Sequence, residues 1–190
     1  MIVQPLVFVT VGSDHHRFDR LMEWTEDWLA SVGGNVECVV QHMTSRLPLG
    51  AQGQQMYARD QMLDLMRNAT VVVGQGGPGT IMDARSSGRL PVVVPRLSRL
   101  SEAVDDHQVA FTRRLAKDGY VKVAESVAAL RAELDSALAE PSAYTVVDGR
   151  NDISGTIARF GSMVENLVER GTERRPHHHQ PTHRLDIRRR

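Results

Sequence analysis

The stretch Val71-Val72-Val73-Gly74-Gln75-Gly76-Gly77-Pro78-Gly79-Thr80, followed by Pro91-Val92-Val93-Val94-Pro95 and then Asp105-Asp106-His107-Gln108, decides how this chain folds. It reads as an apolar strand, a glycine-rich turn, a helix start, a second apolar strand and a polar loop. Strands without polar alternation are buried on both faces, so helices must cover a parallel sheet from above and below. Similar β-branched runs stand at residues 6–10, 36–40 and 120–123, separated by helical patterns. Leu21, Trp24, Trp28 and Leu29 form a 3.6-residue stripe that predicts a helix over 18–31, closed by Gly33-Gly34. Further helices are expected over 60–68, 80–87, 106–117, 127–139 and 154–169. This alternation predicts an α/β domain with a single Rossmann-like, doubly wound, mainly parallel sheet.

The 190 residues suit one domain with a substantial core. Lys plus Arg and Asp plus Glu balance at 23 each, so no global field calls for nucleic acid. Residues 42–57 fit neither period, and Pro48, Gly50 and Gly53 mark them as a long loop. Residues 172–190 carry six Arg and four His against Glu173 and Asp186 without an apolar period. They are expected to form a disordered Arg/His-rich tail on a folded unit of residues 1–171. Cys38 lies inside an apolar run and reads as a buried structural thiol. There is no signal-peptide pattern at Met1 and no apolar run approaching about 18 residues. The expectation is a cytoplasmic protein that meets the inner face of a membrane through a partner or the tail.

Chemistry concentrates where strands end. Gly76, Gly77 and Gly79 around Pro78 permit a tight strand-to-helix turn, and unsatisfied N–H groups at the start of the Thr80 helix favour a phosphate. A turn without a ligand is the alternative reading. Asp83 suits a ribose diol, or else is a first-turn carboxylate held by the helix dipole. Asp105 or Asp106 fits a helix N-cap, while His107 and Gln108 supply donors suited to sugar hydroxyls. In the first loop, Gly12 and Ser13 suit a pyrophosphate, and His15 or His16 suits charge on a leaving group. No Cys, third His or Glu stands at ligand spacing beside the two histidines, so a metal site is not expected. His177, His178, His179 and His183 belong to the polar tail. The G-x-G-x-x-G and G-x-x-x-x-G-K-[ST] patterns are absent, which disfavours NAD-binding oxidoreductase and P-loop readings.

Taken in order, Val7-Phe8-Val9-Thr10-Val11-Gly12-Ser13, Phe18-Asp19-Arg20-Leu21, Gly76-Gly77-Pro78-Gly79-Thr80-Ile81-Met82-Asp83, Pro91-Val92-Val93-Val94-Pro95 and Asp106-His107-Gln108 resemble family 28 glycosyltransferases over about residues 5–125. The likeness is to the C-terminal, donor-binding half of a GT-B enzyme of MurG type. It is strongest to PssE-type subunits of two-piece transferases and to the small catalytic subunit of the eukaryotic dolichol-linked GlcNAc transferase. The resemblance implies an inverting hexosyltransferase with a UDP-sugar as substrate and neither metal nor other cofactor. A membrane-anchored, PssD-like partner would handle a lipid-linked or polysaccharide acceptor in exopolysaccharide biosynthesis and would carry the general base. By the same resemblance, Gly77, Gly79 and Thr80 border the diphosphate, with Gly76 in the same turn. Asp83 holds the ribose, Met62 lines the uracil, and His107 and Gln108 bind the sugar. The Gly12-Ser13 loop faces the phosphates, and His15 or His16 relieves leaving-group charge. Gln75 and Asp83 stand where the two-piece enzymes usually have His and Glu. Those two departures favour the alternative function, a non-catalytic UDP-sugar or nucleotide-binding module that regulates a polysaccharide assembly complex.

Overall fold

The computed structural model describes residues 4–146, apart from the side chain of His107. In chain order the elements are β1 (Leu6–Thr10), α1 (Asp19–Val32), β2 (Glu37–Gln41), β3 (Gln52–Gln54), α2 (Arg59–Asn68), β4 (Val71–Gln75), α3 (Pro78–Ser86), β5 (Val92–Val94), α4 (His107–Lys117), β6 (Lys122–Val123) and α5 (Val127–Ala139). The six strands form one sheet in the order β3-β2-β1-β4-β5-β6, and every strand pair is parallel. This is the Rossmann strand order, which reverses direction of growth between β1 and β4. The crevice outside the carboxyl ends of those two strands is where such sheets bind ligands.

Alternation along each strand explains the two layers. Val7 and Val9 of β1, Cys38 and Val40 of β2, Val71 and Val73 of β4, and Val92 and Val94 of β5 face one way. There they pack against Leu21, Met22, Trp28 and Leu29 of α1 and against Leu130, Leu134 and Ala137 of α5. Phe8, Val39 and Val72 face the other way, against Met66 of α2 and Ala84 of α3. Fully burying a side chain of the size of Leu21 or Met22 contributes about 1.5–3 kcal/mol, so the α1 stripe is a main anchor of its layer. Trp28 Nε1–H donates to Asp135 Oδ1 at 2.8 Å, joining α1 to α5. Cys38 is buried in the first layer, and burial pushes its thiol pKa up to about 12.

Two local expectations change. Residues 42–57 are not all loop, because Gln52–Gln54 adds to the sheet edge with Val39↔Gln52, Val40↔Gly53 and Gln41↔Gln54 in register. A Gln-Gly-Gln edge strand has no hydrophobic period to announce it. Gly53 is required there, since a Cβ would stand 2.2 Å from the carbonyl oxygen of Val40. The helix after the glycine turn begins at Pro78 rather than Thr80, which places Pro at N1, Gly79 at N2 and Thr80 at N3. Proline is well suited to N1 because its fixed φ matches the helix and its missing N–H is not needed. The helix expected over 154–169, the tail at 172–190 with its histidines, and the 1–171 boundary lie outside the described residues. Among the described residues no helix is long and apolar enough to cross a membrane.

Candidate functional site

The strands at the switch point, β1 and β4, end in the polar residues Thr10 and Gln75. Thr10 pairs with Gln41 on one side and Gly74 on the other, and Gln75 pairs with Val94. Beyond Thr10 the chain turns through Gly12 at φ 75°, a left-handed conformation that glycine adopts without Cβ strain. Its N–H donates to Thr10 Oγ1 at 3.1 Å, and its carbonyl accepts from Gln41 Nε2 at 3.1 Å. A buried Thr and a buried Gln therefore fix the bend that presents Ser13.

Gln75 joins this loop to the glycine turn. Its Nε2 donates to Thr80 Oγ1 at 3.1 Å, and a Cβ at Gly12 or Gly77 would stand 2.1 or 2.8 Å from that same nitrogen. Gly12, Gly77 and Thr80 thus meet around one side-chain amide. Gln75 Oε1 is buried and lacks a hydrogen-bond partner among the described residues. The glycines have separate tasks. Gly76 admits α4, since a Cβ would lie 2.8 Å from Thr112 Cγ2 and 3.1 Å from Gln108 Cβ. Gly79 faces open space, with nothing within 4 Å of its Cβ position. Of the three turn glycines, Gly79 is the one that leaves room at the helix N-terminus.

Arg96 is one of the residues that the sequence reading missed. It follows Pro95 at the carboxyl end of β5 and is completely buried. Its Nη2 donates to the Val11 carbonyl at 2.9 Å, and its Nη1 donates to the carbonyls of His16 at 2.8 Å and Glu102 at 2.9 Å. Its backbone N–H donates to Gln108 Oε1 at 3.3 Å, and the guanidinium lies 4.7 Å from the Phe18 ring centroid. One arginine therefore ties together the β1 loop, the β5 loop and the start of α4. Burial pushes its pKa down, against the pull of the Asp14 and Glu102 carboxylates. The Glu102 carboxylate itself goes to Arg20, through Nε at 2.9 Å and Nη2 at 2.7 Å, and it also accepts from the Leu97 N–H at 2.9 Å. The signal for both arginines was positional: a cation directly after a buried strand, and one in the first turn of the helix beneath it.

His15 and His16 separate. The His15 side chain is 85% exposed, whereas that of His16 is 26% exposed. Asp14 Oδ1 accepts from the His16 N–H at 2.8 Å and from its Nδ1 at 2.6 Å. Burial alone would raise the Asp14 pKa, but these bonds together with the charge of Arg96 hold it below the usual value. An ionised carboxylate only accepts, so the Asp14 contact is a hydrogen bond from His16 Nδ1–H that fixes the orientation of the ring. Donor atoms of Asp14, His15 and His16 lie within 4.8 Å of one another. Asp14 is thus a third ligand-type group beside the two histidines.

Asp83 is not in the first turn of α3, so the helix dipole is not what holds it. Instead Arg59, at the start of α2, donates to it from Nη2 at 2.7 Å and from Nη1 at 3.2 Å. Met62 is partly buried against the Phe8, Met66 and Val72 layer. Asp106 is the N-cap position of α4, yet its carboxylate accepts from the Ser98 N–H at 2.8 Å rather than capping the helix. His107 opens α4, and its side chain lies outside the described residues. A cleft of about 290 Å³ beside Pro95, Leu97, Asp106 and Arg113 contains none of the sequence-predicted site residues. The β1–β4 switch point, where Gly12, Gly77 and Thr80 converge, remains the candidate site.

Comparison with solved structures gives the same fold. The glycotransferase of kitacinnamycin aligns with a TM-score of 0.55 at 20% identity, over 74% of this chain and 36% of that one. MurG of Acinetobacter baumannii gives 0.53 at 19%, over 76% and 44%. CalG4, the calicheamicin glycosyltransferase, gives 0.55 at 17%, over 87% and 44%. The chain therefore spans less than half the length of these structures, as one half of a GT-B fold. A sequence comparison with curated proteins finds no match. The glycosyltransferase family 28 C-terminal domain matches residues 6–152, and the chain belongs to that family.

Proposed function

We propose that this chain is the donor-binding subunit of a heteromeric, inverting glycosyltransferase that takes a hexosyl group from a UDP-sugar. A membrane-anchored, PssD-like partner supplies the acceptor site and the general base, and the acceptor is lipid-linked or a polysaccharide. The observation that carries this reading is the convergence of Gly12, Gly77 and Thr80 on the Gln75 amide at the β1–β4 switch point. Backbone N–H groups at the start of α3 favour a diphosphate there, and Gly79 leaves room for it. In this reading His16, oriented by Asp14, relieves charge on the departing diphosphate. Met62 lines the base, Asp83 takes the ribose, and His107 and Gln108 take the sugar. Neither metal nor cofactor enters this scheme. The chain spans 44% of each of the matched MurG and CalG4 structures, and the resemblance to two-piece transferases is the reason to assign the acceptor half to a partner.

The experiment is coexpression with a membrane-anchored acceptor half, followed by transfer from labelled UDP-sugars into lipid-extractable product. Turnover that needs both chains and is lost in Asp83→Ala supports the reading. Tight UDP binding without turnover under any pairing favours the second reading, a regulatory nucleotide-binding module, to which the departures at Gln75 and Asp83 point. Transfer by the purified chain alone contradicts the two-subunit proposal.

A further inference from the structure

The carboxylate assigned to a ribose already has an occupant. Arg59 meets both Asp83 oxygens with a fork, 2.7 Å from Nη2 to Oδ1 and 3.2 Å from Nη1 to Oδ2. The pair is asymmetric: the Asp83 side chain is 14% exposed and that of Arg59 is 68% exposed. Asp83 is held between α2 and α3, while the guanidinium covers it from the solvent side. A vicinal diol presents two O–H donors side by side, the same pattern that the guanidinium presents with two N–H groups.

We propose that Arg59 is an internal competitor for the ribose carboxylate and sets the affinity of the site for ribonucleotides. This rests on the reading of Asp83 as the ribose-binding group. A ligand with both hydroxyls exchanges two hydrogen bonds to Asp83 for two others, and the displaced guanidinium returns to water. Because the guanidinium is mostly exposed, the ion pair is weak and the exchange is easy. Every ligand that uses Asp83 is nevertheless weakened by the strength of that pair, including a nucleoside diphosphate product that must leave after transfer. A ligand without the diol leaves the pair intact and is not weakened.

The test measures dissociation constants of UDP and of 2′,3′-dideoxyuridine diphosphate by calorimetry on the full chain. It uses the wild type, Arg59→Ala, Arg59→Gln and Asp83→Ala. Removing a cation near the site weakens both diphosphates alike, so the ratio of the two constants isolates the contact with the ribose. Dideoxy over UDP should rise about two- to fivefold in both Arg59 variants, the range expected for releasing an exposed ion pair. In Asp83→Ala it should fall towards one. A ratio that collapses in Asp83→Ala but does not rise in either Arg59 variant overturns the competitor and leaves the ribose assignment standing. A ratio unchanged in Asp83→Ala, or no UDP binding by any of the proteins, overturns both.

Discussion

A Cβ placed on Gly12 would stand 2.1 Å from Gln75 Nε2, so the bend after β1 and the polar end of β4 are built as one unit. Gly12→Ala must therefore displace the Gln75 side chain from Thr80, and it must also hold an alanine at φ 75°. The left-handed backbone alone costs about 1–2 kcal/mol. Urea unfolding should show a loss of at least that size. In the Gly12→Ala/Gln75→Ala double variant the clash is gone, leaving the backbone strain and the loss of the Gln75 side chain with its bond to Thr80, so the two losses should be non-additive.

Arg96→Met should be among the most damaging single changes in the described part of the chain. It leaves the carbonyls of Val11, His16 and Glu102 without their donors, and unsatisfied buried acceptors cost about 1–3 kcal/mol each. Arg96→Lys should recover only part of the loss, because an ammonium cannot reproduce the planar fork. Chemical denaturation of the three proteins checks the order wild type, Lys, Met.

The turn glycines should respond in opposite directions to alanine. Gly79 lies in the first turn of α3 with open space around its Cβ position, so Gly79→Ala should raise stability by up to about 1 kcal/mol. The same methyl group fills the room left for a diphosphate, so UDP binding should weaken. Gly76→Ala should lower stability, because Thr112 and Gln108 of α4 occupy the space. Thermal melts and UDP calorimetry on both variants separate packing from ligand access.

Alkaline pH should destabilise the fold through Cys38. Its ordinary pKa is 9.0, and burial pushes it up to about 12, so above pH 9 the unfolded chain loses a proton that the folded chain keeps. The contribution is complete below pH 9 and is lost as pH rises from there, at a limiting slope of about 1.4 kcal/mol per pH unit. Cys38→Ala lowers stability at neutral pH by opening a cavity, but it should flatten the dependence between pH 9 and 11. The native thiol should also resist Ellman's reagent at pH 8.

The strand-and-helix order was legible because buried parallel strands write continuous β-branched runs, as at Val71-Val72-Val73 and Val92-Val93-Val94. β3 was not, because a short edge strand is recruited by the register of Val39 and Val40 rather than by any pattern of its own. In the candidate site, the backbone-shaped positions were readable from glycine. Gly12 and the turn after β4 could be located, although the sequence alone could not separate Gly76, needed for α4, from Gly79, facing open space. Gln41, Arg96 and Arg59 escaped notice because their roles arise from neighbours distant in sequence. Arg96 reaches Val11 and His16, and Arg59 reaches Asp83.

The most direct test of the central claim is a two-dimensional amide NMR titration of the isotope-labelled chain with UDP. The account predicts saturable shifts clustered at Gly12, Ser13, Gly77, Gly79, Thr80 and Gln108, the residues that border the switch point and the start of α4. No saturable shifts at millimolar UDP would contradict it, as would shifts centred on the cleft near Leu97 and Arg113 instead.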